Sequence, residues 1–422
     1  MKLVIPIEFY RTGGVERVIV SLIRELSQKI EKIVLILPPK DFNAFQQRLP
    51  PSDRLIYESF VWQPNSSGYR NLILLYKLSS ALQKLKLKAS SRKLDIFIKR
   101  FRVQSRVNYI IDQHQATHCL YVLSNRLPTR DIKTPLATIA YDLFWQFSPM
   151  TYPKAYVRKY NERLLEWLQK TDVVFSISEK TRSDILKLFP GYEEKIKTVP
   201  LAGFLNAQAV GEAEDFEEEV PIFYFPSSFG IYKDQLGLLK ASVKLAQKGL
   251  KFKVFLTGRE TDNLVDGNLS LSQQSQTQEY IEYFNECKRL YKENTEIFKE
   301  YFKGFGYCAE TVVESCYKSC ACVVMPSRYE GFGLALSEAI VRGLPVISSD
   351  LDVLYEQVEL YECGDRVEFF PQGDVEALAN RMEQFLLNPK PKLSPAEIQQ
   401  RFSRWTWEDV AKRYIELLES VS

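Results

Sequence analysis

The chain has 422 residues, 45% hydrophobic and 26% charged, with a formal charge of +3. That length predicts about two domains, each with a sizeable core. The near-neutral balance gives no bulk charge to recruit nucleic acid. No apolar run approaches the ~20 residues that cross a bilayer. Residues 1–7 are too short for a leader and lack a cleavage site, so they read as a first strand.

Short apolar runs at 3–7, 33–37, 137–141, 173–177 and 197–200 predict one set of strands. Runs at 222–226, 253–257, 321–325, 346–348 and 367–370 predict a second set. Helical patterns alternate with them, which predicts an α/β protein of parallel sheets with helices on both faces. Between the sets, residues 211–219 are acidic with little to bury. The expected organisation is a Rossmann-like domain at 1–205, a linker at 206–220 and a second Rossmann-like domain at 221–402. Ligands of such sheets bind at the C-terminal strand ends, so facing domains share one cleft. Residues 403–422 form a last helix, which Thr406 can cap with Asp409 three residues on.

Along the chain, Gly13-Gly14 separates the first strand from a helix whose apolar face is Val15, Val18, Ile19, Leu22, Ile23 and Leu26. Two glycines at a strand-to-helix turn let a ligand approach the backbone. The pair is not a Gly-x-Gly-x-x-Gly, which counts against a dinucleotide dehydrogenase. Residues 70–106 hold eleven Lys/Arg and one acid, with Leu75, Leu78, Leu82 and Leu85 at helical spacing. Such a helix can pack on its leucine face with lysines outward, or lie on an anionic membrane surface. The two histidines, His114 and His118, match no catalytic or metal pattern. Seven scattered cysteines suggest reduced thiols and a cytoplasmic protein. Cys316, Cys320 and Cys322 fit no zinc spacing and read as small buried hydrophobes. Residues 262–278 read as an exposed polar loop, and 280–303 as helical.

The most informative stretch begins after the run at 321–325. It reads Pro326-Ser327-Arg328-Tyr329-Glu330-Gly331-Phe332-Gly333-Leu334-Ala335-Leu336-Ser337-Glu338. Two carboxylates flank a glycine-containing turn between a strand and a helix. The helix start offers free amides to an anion, and ionised carboxylates accept hydroxyl hydrogen bonds. Amides for phosphate and carboxylates for polyol hydroxyls describe a nucleotide-sugar site.

This stretch resembles the Glu-x7-Glu signature of family-4 retaining glycosyltransferases of the GT-B fold, and Gly343-Leu344-Pro345-Val346-Ile347 extends the match. The resemblance implies sugar transfer from a nucleoside diphosphate donor to a hydroxyl of a glycan or lipid-linked acceptor, with retention and with neither cofactor nor metal. Glu330 would hold donor sugar hydroxyls, Glu338 the ribose, and the amides of Phe332, Gly333 and Leu334 sugar or phosphate oxygens. Gly14 would border the donor. In the turn Pro226-Ser227-Ser228-Phe229-Gly230-Ile231-Tyr232-Lys233, Gly230 borders the donor and Lys233 fits the family's diphosphate lysine. The family's arginine position falls on Ser228, and Arg259 is the candidate to stand in. Residues 305–307 match where the family frames the base. Tyr141-Asp142 stands where the family has His-Asp, so Tyr141 and Asp142 are candidate sugar contacts.

By resemblance the last helix crosses back to the first domain. UDP-glucose or a similar UDP-sugar is the favoured donor and GDP-mannose the second, in bacterial envelope or exopolysaccharide synthesis. The basic 70–106 segment would allow a peripheral place at the inner face of the membrane. The alternatives are a nucleotide-sugar epimerase or hydrolase on the same fold, and an inactive sugar-nucleotide-binding protein.

Overall fold

The computed structural model describes residues 1–8, 13–61, 67–84, 88–122, 131–148, 152–205, 207–270 and 277–421. The first sheet comprises β1 (Lys2–Pro6), β2 (Lys32–Leu37), β3 (Leu55–Ser59), β4 (His118–Tyr121), β5 (Leu136–Ala140), β6 (Val173–Ser176) and β7 (Ile196–Thr198). Its order is β3-β2-β1-β4-β5-β6-β7, with every pairing parallel. The second sheet comprises β8 (Ile222–Pro226), β9 (Lys253–Thr257), β10 (Phe302–Gly304), β11 (Cys322–Met325), β12 (Val346–Ser349) and β13 (Val367–Phe370). Its order is β10-β9-β8-β11-β12-β13, again wholly parallel. Strands β3, β4 and β10 are additions to the ten that the sequence predicts.

Helices cover both faces of each sheet, so the central strands are buried on both sides and read as unbroken Val/Ile/Leu runs. Strand β2 is the example: from Ile33 to Leu37 every residue is fully buried. In both sheets the order reverses at the first strand, between β1 and β4 and between β8 and β11. Such switch points open crevices at the C-terminal strand ends. Here the two crevices face each other.

The last helix, Trp407–Glu419, packs on the first domain. Its Val410, Ala411, Tyr414 and Leu418 join the core that holds Leu3, Ile5, Leu22 and Ile23. Tyr414 lies 4.3 Å from Phe175, ring centre to ring centre. Burying a residue of this size contributes about 1.5–3 kcal/mol. Thr406 and Asp409 form a reciprocal capping box at its start.

Three expectations need correction. The acidic stretch does bury something: Phe216 packs 5.3 Å from both Phe255 and Phe305, and the Glu214 and Phe216 amides donate to Ser315 and Ser319. The polar segment at 262–278 opens inside a short helix, Thr261–Val265. Leu264, Val265 and Leu269 are buried there, because they fill the second domain's core. The basic segment is a hairpin of two helices, Ser67–Lys84 and Lys88–His114, and it packs through only part of the leucine face. Leu72 and Ile98 are buried with Leu75, Leu94 and Phe101 around them, while Leu78 is 53% exposed. The stripe that meets the partner helix runs through Leu72, Leu75 and Ser79, and Ser79 donates to Asp95. Leu85 lies outside the described residues.

Candidate active site

Between the two sheets lies a cavity of about 380 Å³, lined from both domains. That is the size of a small-molecule site. Strand β11 ends at its edge, and the loop after it carries Glu330 inward. Gly333 has φ of +87°, a conformation glycine adopts at no steric cost. It turns the chain into the helix Leu334–Ile340. The amides of Leu334 and Ala335 have no acceptor within that helix, and both residues line the cavity.

Glu330 and Glu338 both reach this cavity, and each carboxylate grips a cation. Lys233 Nζ donates to Glu330 Oε1 and Oε2 at 2.7 and 2.8 Å. Ser327 Oγ adds a third bond to Oε1 at 2.7 Å. Glu338 is 3% exposed. Its Oε2 accepts from the Tyr317 hydroxyl at 2.8 Å, and its Oε1 from Arg17 Nη1 at 2.8 Å. Arg17 comes from the first helix of the other domain, Gly14–Lys29, so Glu338 is bonded across the cleft.

The loop around Glu330 is also held from the first domain. Ser178 Oγ and Thr181 Oγ1 donate to the Gly331 carbonyl at 2.6 and 3.1 Å. The Tyr329 hydroxyl accepts from the Leu143 amide and donates to Asp184. A Cβ on Gly331 would stand 2.4 Å from the Tyr141 carbonyl oxygen, so only glycine permits this approach. Glu356 caps the helix Glu179–Leu188 from the other domain by accepting the Glu179 and Lys180 amides.

Most expected site residues converge here. Gly14, Tyr141, Asp142, Lys233, Glu330, Phe332, Gly333, Leu334 and Glu338 all line the cavity, and so does Tyr307. Gly230 and Arg259 are not among the lining residues. The Gly230 amide donates to Gln235. The Arg259 side chain is exposed, while its amide bonds Ser228 Oγ at 3.0 Å. Tyr141 borders the cavity, but its hydroxyl is buried and has no hydrogen-bond partner among the described residues. Asp142 sits near Lys233 and Glu330. Burial pushes its carboxyl up to about 6, against the pull of the Phe144 amide and Lys233 and with a further push from Glu330.

His114 pairs with Glu58, and His118 contacts Thr117; neither lines the cavity. Cys316, Cys320 and Cys322 are buried. Arg17, Glu310 and Tyr317 were not foreseen. The available signal for Arg17 was a charge pair, Glu16-Arg17, directly after the glycines on a helix that is otherwise apolar inward.

Comparison with known proteins agrees with this fold. Residues 209–403 match the family model of glycosyl transferases, group 1. An uncharacterized glycosyltransferase of Methanocaldococcus jannaschii is 23% identical over 186 residues, 44% of each chain. The O-antigen chain mannosyltransferase B of Escherichia coli is 24% identical over 279 residues, 63% of this chain and 65% of that one. The chain thus spans less than two thirds of the length of these relatives. The structure of Anabaena HepE, in complex with UDP and glucose, superimposes with a TM-score of 0.61 at 16% identity, covering 100% of both chains. Residues 209–403 are thus similar to the group 1 glycosyl transferases, and the whole chain has the GT-B fold.

Proposed function

We propose that the protein transfers a sugar from a nucleoside diphosphate donor to a hydroxyl of a glycan or lipid-linked acceptor, with retention and without a metal. The observation that carries this is the pair Glu330 and Glu338. They share one cavity with the free amides of a helix start, and each is tied to a cation. Glu330 accepts hydroxyls of the donor sugar and Glu338 those of the ribose. The acceptor oxygen bonds to the anomeric carbon on the face from which the diphosphate leaves. The bond from that carbon to the phosphate oxygen breaks, and the departing oxygen takes the acceptor's proton. Charge grows on the diphosphate as it leaves, and Lys233 with the Leu334 and Ala335 amides stabilises it.

A UDP-sugar, UDP-glucose first, is the favoured donor, since HepE of like fold was solved with UDP and glucose. GDP-mannose is second, since a mannosyltransferase is among the relatives. The product belongs to a bacterial envelope or exopolysaccharide. Among the described residues no helix is long and apolar enough to cross a membrane. The hairpin Ser67–Lys84 and Lys88–His114 exposes Ile73, Leu74, Leu78, Ile96 and Phe97 beside Lys77, Lys93 and Lys99. We assign it a peripheral contact with the anionic inner face of a membrane, where cations and apolar side chains act together.

The test is calorimetric titration of UDP-glucose, UDP-glucuronate, UDP-N-acetylglucosamine and GDP-mannose into wild type and Glu338→Ala. One donor should bind well and weaken about tenfold or more in the variant, the effect of losing a hydrogen bond to a charged group. Binding by none of them would overturn the assignment. A donor that binds and is never transferred would favour the inactive binding protein, and inversion or hydrolysis of its sugar would favour the epimerase or hydrolase.

A further inference from the structure

We propose that Arg17 is the second cation of the diphosphate site, supplied across the cleft by the first domain and aimed by Glu338. The inference rests on the nucleoside diphosphate reading above and adds a residue to it.

The cavity is short of positive charge. Among the described residues lining it, Glu16, Asp142, Glu310, Glu330 and Glu338 face only two cations, Lys233 and Arg17. Lys233, held on Glu330, is the one cation that the second domain contributes among the described lining residues. The turn after β8 lines the cavity with Ser227 and Ser228, and Arg259 uses its amide to hold Ser228 while its side chain is exposed. A dianionic ligand entering here meets Lys233 from the second domain and Arg17 from the first as the cations of the described lining.

Arg17 is built for that role rather than simply buried. Its Nη1 donates to Glu338 Oε1 at 2.8 Å and its Nε to Glu310 Oε1 at 3.3 Å. Its guanidinium carbon lies 5.5 Å from the Phe204 ring centre. Two of five N–H groups are thus occupied, and the other three have no acceptor among the described residues. A guanidinium presents its donors as a rigid fork that suits two phosphate oxygens. Burial alone would push its charge off, but Glu338 and Glu310 more than offset that, so it stays protonated. Glu338 is itself fixed by Tyr317. The carboxylate offered to the ribose is therefore the one that sets the arginine's direction. The backbone follows the same logic: a Cβ on Gly14 would touch Leu334 Cδ1 at 3.3 Å, so the start of Arg17's helix abuts the start of the helix carrying Glu338.

The alternative is an ion pair that only ties the domains. Calorimetry separates the two. Uridine, UMP and UDP, and guanosine, GMP and GDP as a second series, are titrated into wild type, Arg17→Ala and Arg17→Lys, with circular dichroism and melting checked for each. For the series that binds, Arg17→Ala should lower the ratio of diphosphate to nucleoside affinity about tenfold or more. Nucleoside affinity should stay within about twofold. Arg17→Lys, which keeps the charge and loses the fork, should restore part of the ratio if the variant with alanine folds poorly. Equal weakening of nucleoside and diphosphate would mean that Arg17 serves only Glu338, and this inference would fail while the donor reading stood. Failure of both series to bind wild type would remove the donor reading, and this one with it.

Discussion

Lys233 Nζ stands 2.7 and 2.8 Å from the two oxygens of Glu330, so the cation is centred on the carboxylate and not on one corner of it. A pair held this way keeps the lysine at one point when the leaving group's charge appears. Lys233→Ala should therefore lower kcat by about 10²–10³-fold, the usual effect of deleting one preorganised donor. KM for the donor should change far less. Steady-state transfer with the donor identified by calorimetry checks this, and an unchanged kcat would remove Lys233 from the chemistry.

Asp142 predicts a pH profile. Its carboxyl is held at about 6 against an ordinary 3.8. Accepting a sugar hydroxyl with both oxygens requires the anion, so kcat/KM should climb through about pH 6 and level off near neutrality. Asp142→Asn should flatten that limb. The stability effect has the opposite sign. Between pH 3.8 and about 6 the folded state holds a proton that the unfolded state has lost, so stability declines as pH rises through this window. Thermal melts of wild type and Asp142→Asn from pH 4 to 7 should converge at the acid end.

Gly331 sets how closely the domains approach. A methyl there would stand 2.4 Å from the Tyr141 carbonyl and 2.6 Å from Asp142 Cβ. Gly331→Ala should leave each domain folded but cost about 1–3 kcal/mol in the approach. That is a loss of kcat/KM of about 5- to 150-fold, with a larger radius of gyration in small-angle scattering.

Arg342 is 8% exposed. It bonds Glu314 through Nε and Nη2, and its Nη1 donates to the Glu338 and Phe204 carbonyls at 2.8 and 2.9 Å. Arg342→Ala would strand the Glu314 carboxylate in the interior. Denaturant unfolding should show a loss of about 3–5 kcal/mol. The double change Arg342→Met with Glu314→Leu should recover much of it, since it strands no charge.

The helical hairpin gives a surface prediction. Leu74 and Leu78 are 64% and 53% exposed. Leu74→Glu and Leu78→Glu should each reduce co-sedimentation with phosphatidylserine vesicles by about tenfold, the effect of losing one inserted apolar side chain. Binding to neutral vesicles should be weak throughout. Equal pelleting of wild type and variants would dismiss the hairpin as the contact.

Local signals were legible in the sequence and distant ones were not. The glycines, amides and carboxylates from Ser327 to Glu338 lie within one strand–turn–helix, so their chemistry could be read in order. The bond from Arg17 to Glu338 joins residues 321 positions apart, and no local pattern encodes such a distance. Strands buried on both faces stood out as apolar runs. Strands β3 and β10 lie at sheet edges, where Tyr57, Glu58 and Lys303 can face water and blur the period. In the basic hairpin the leucines at helical spacing mark the packed stripe only in part: Leu75 packs and Leu78 is exposed. Its packed face includes Ser79, whose hydrogen bond to Asp95 takes the place of an apolar contact.

The last helix completes the core of the first domain, which has a consequence for how the protein is made. A chain emerging from the ribosome presents β1 through β7 long before Val410, Tyr414 and Leu418 appear. The first domain must wait with an open flank, while the second domain, whose strands and helices are contiguous, can close around itself. The later-synthesised domain is thus the one able to mature first, and a nascent chain stalled before residue 407 would expose its oldest segment to chaperones and proteases.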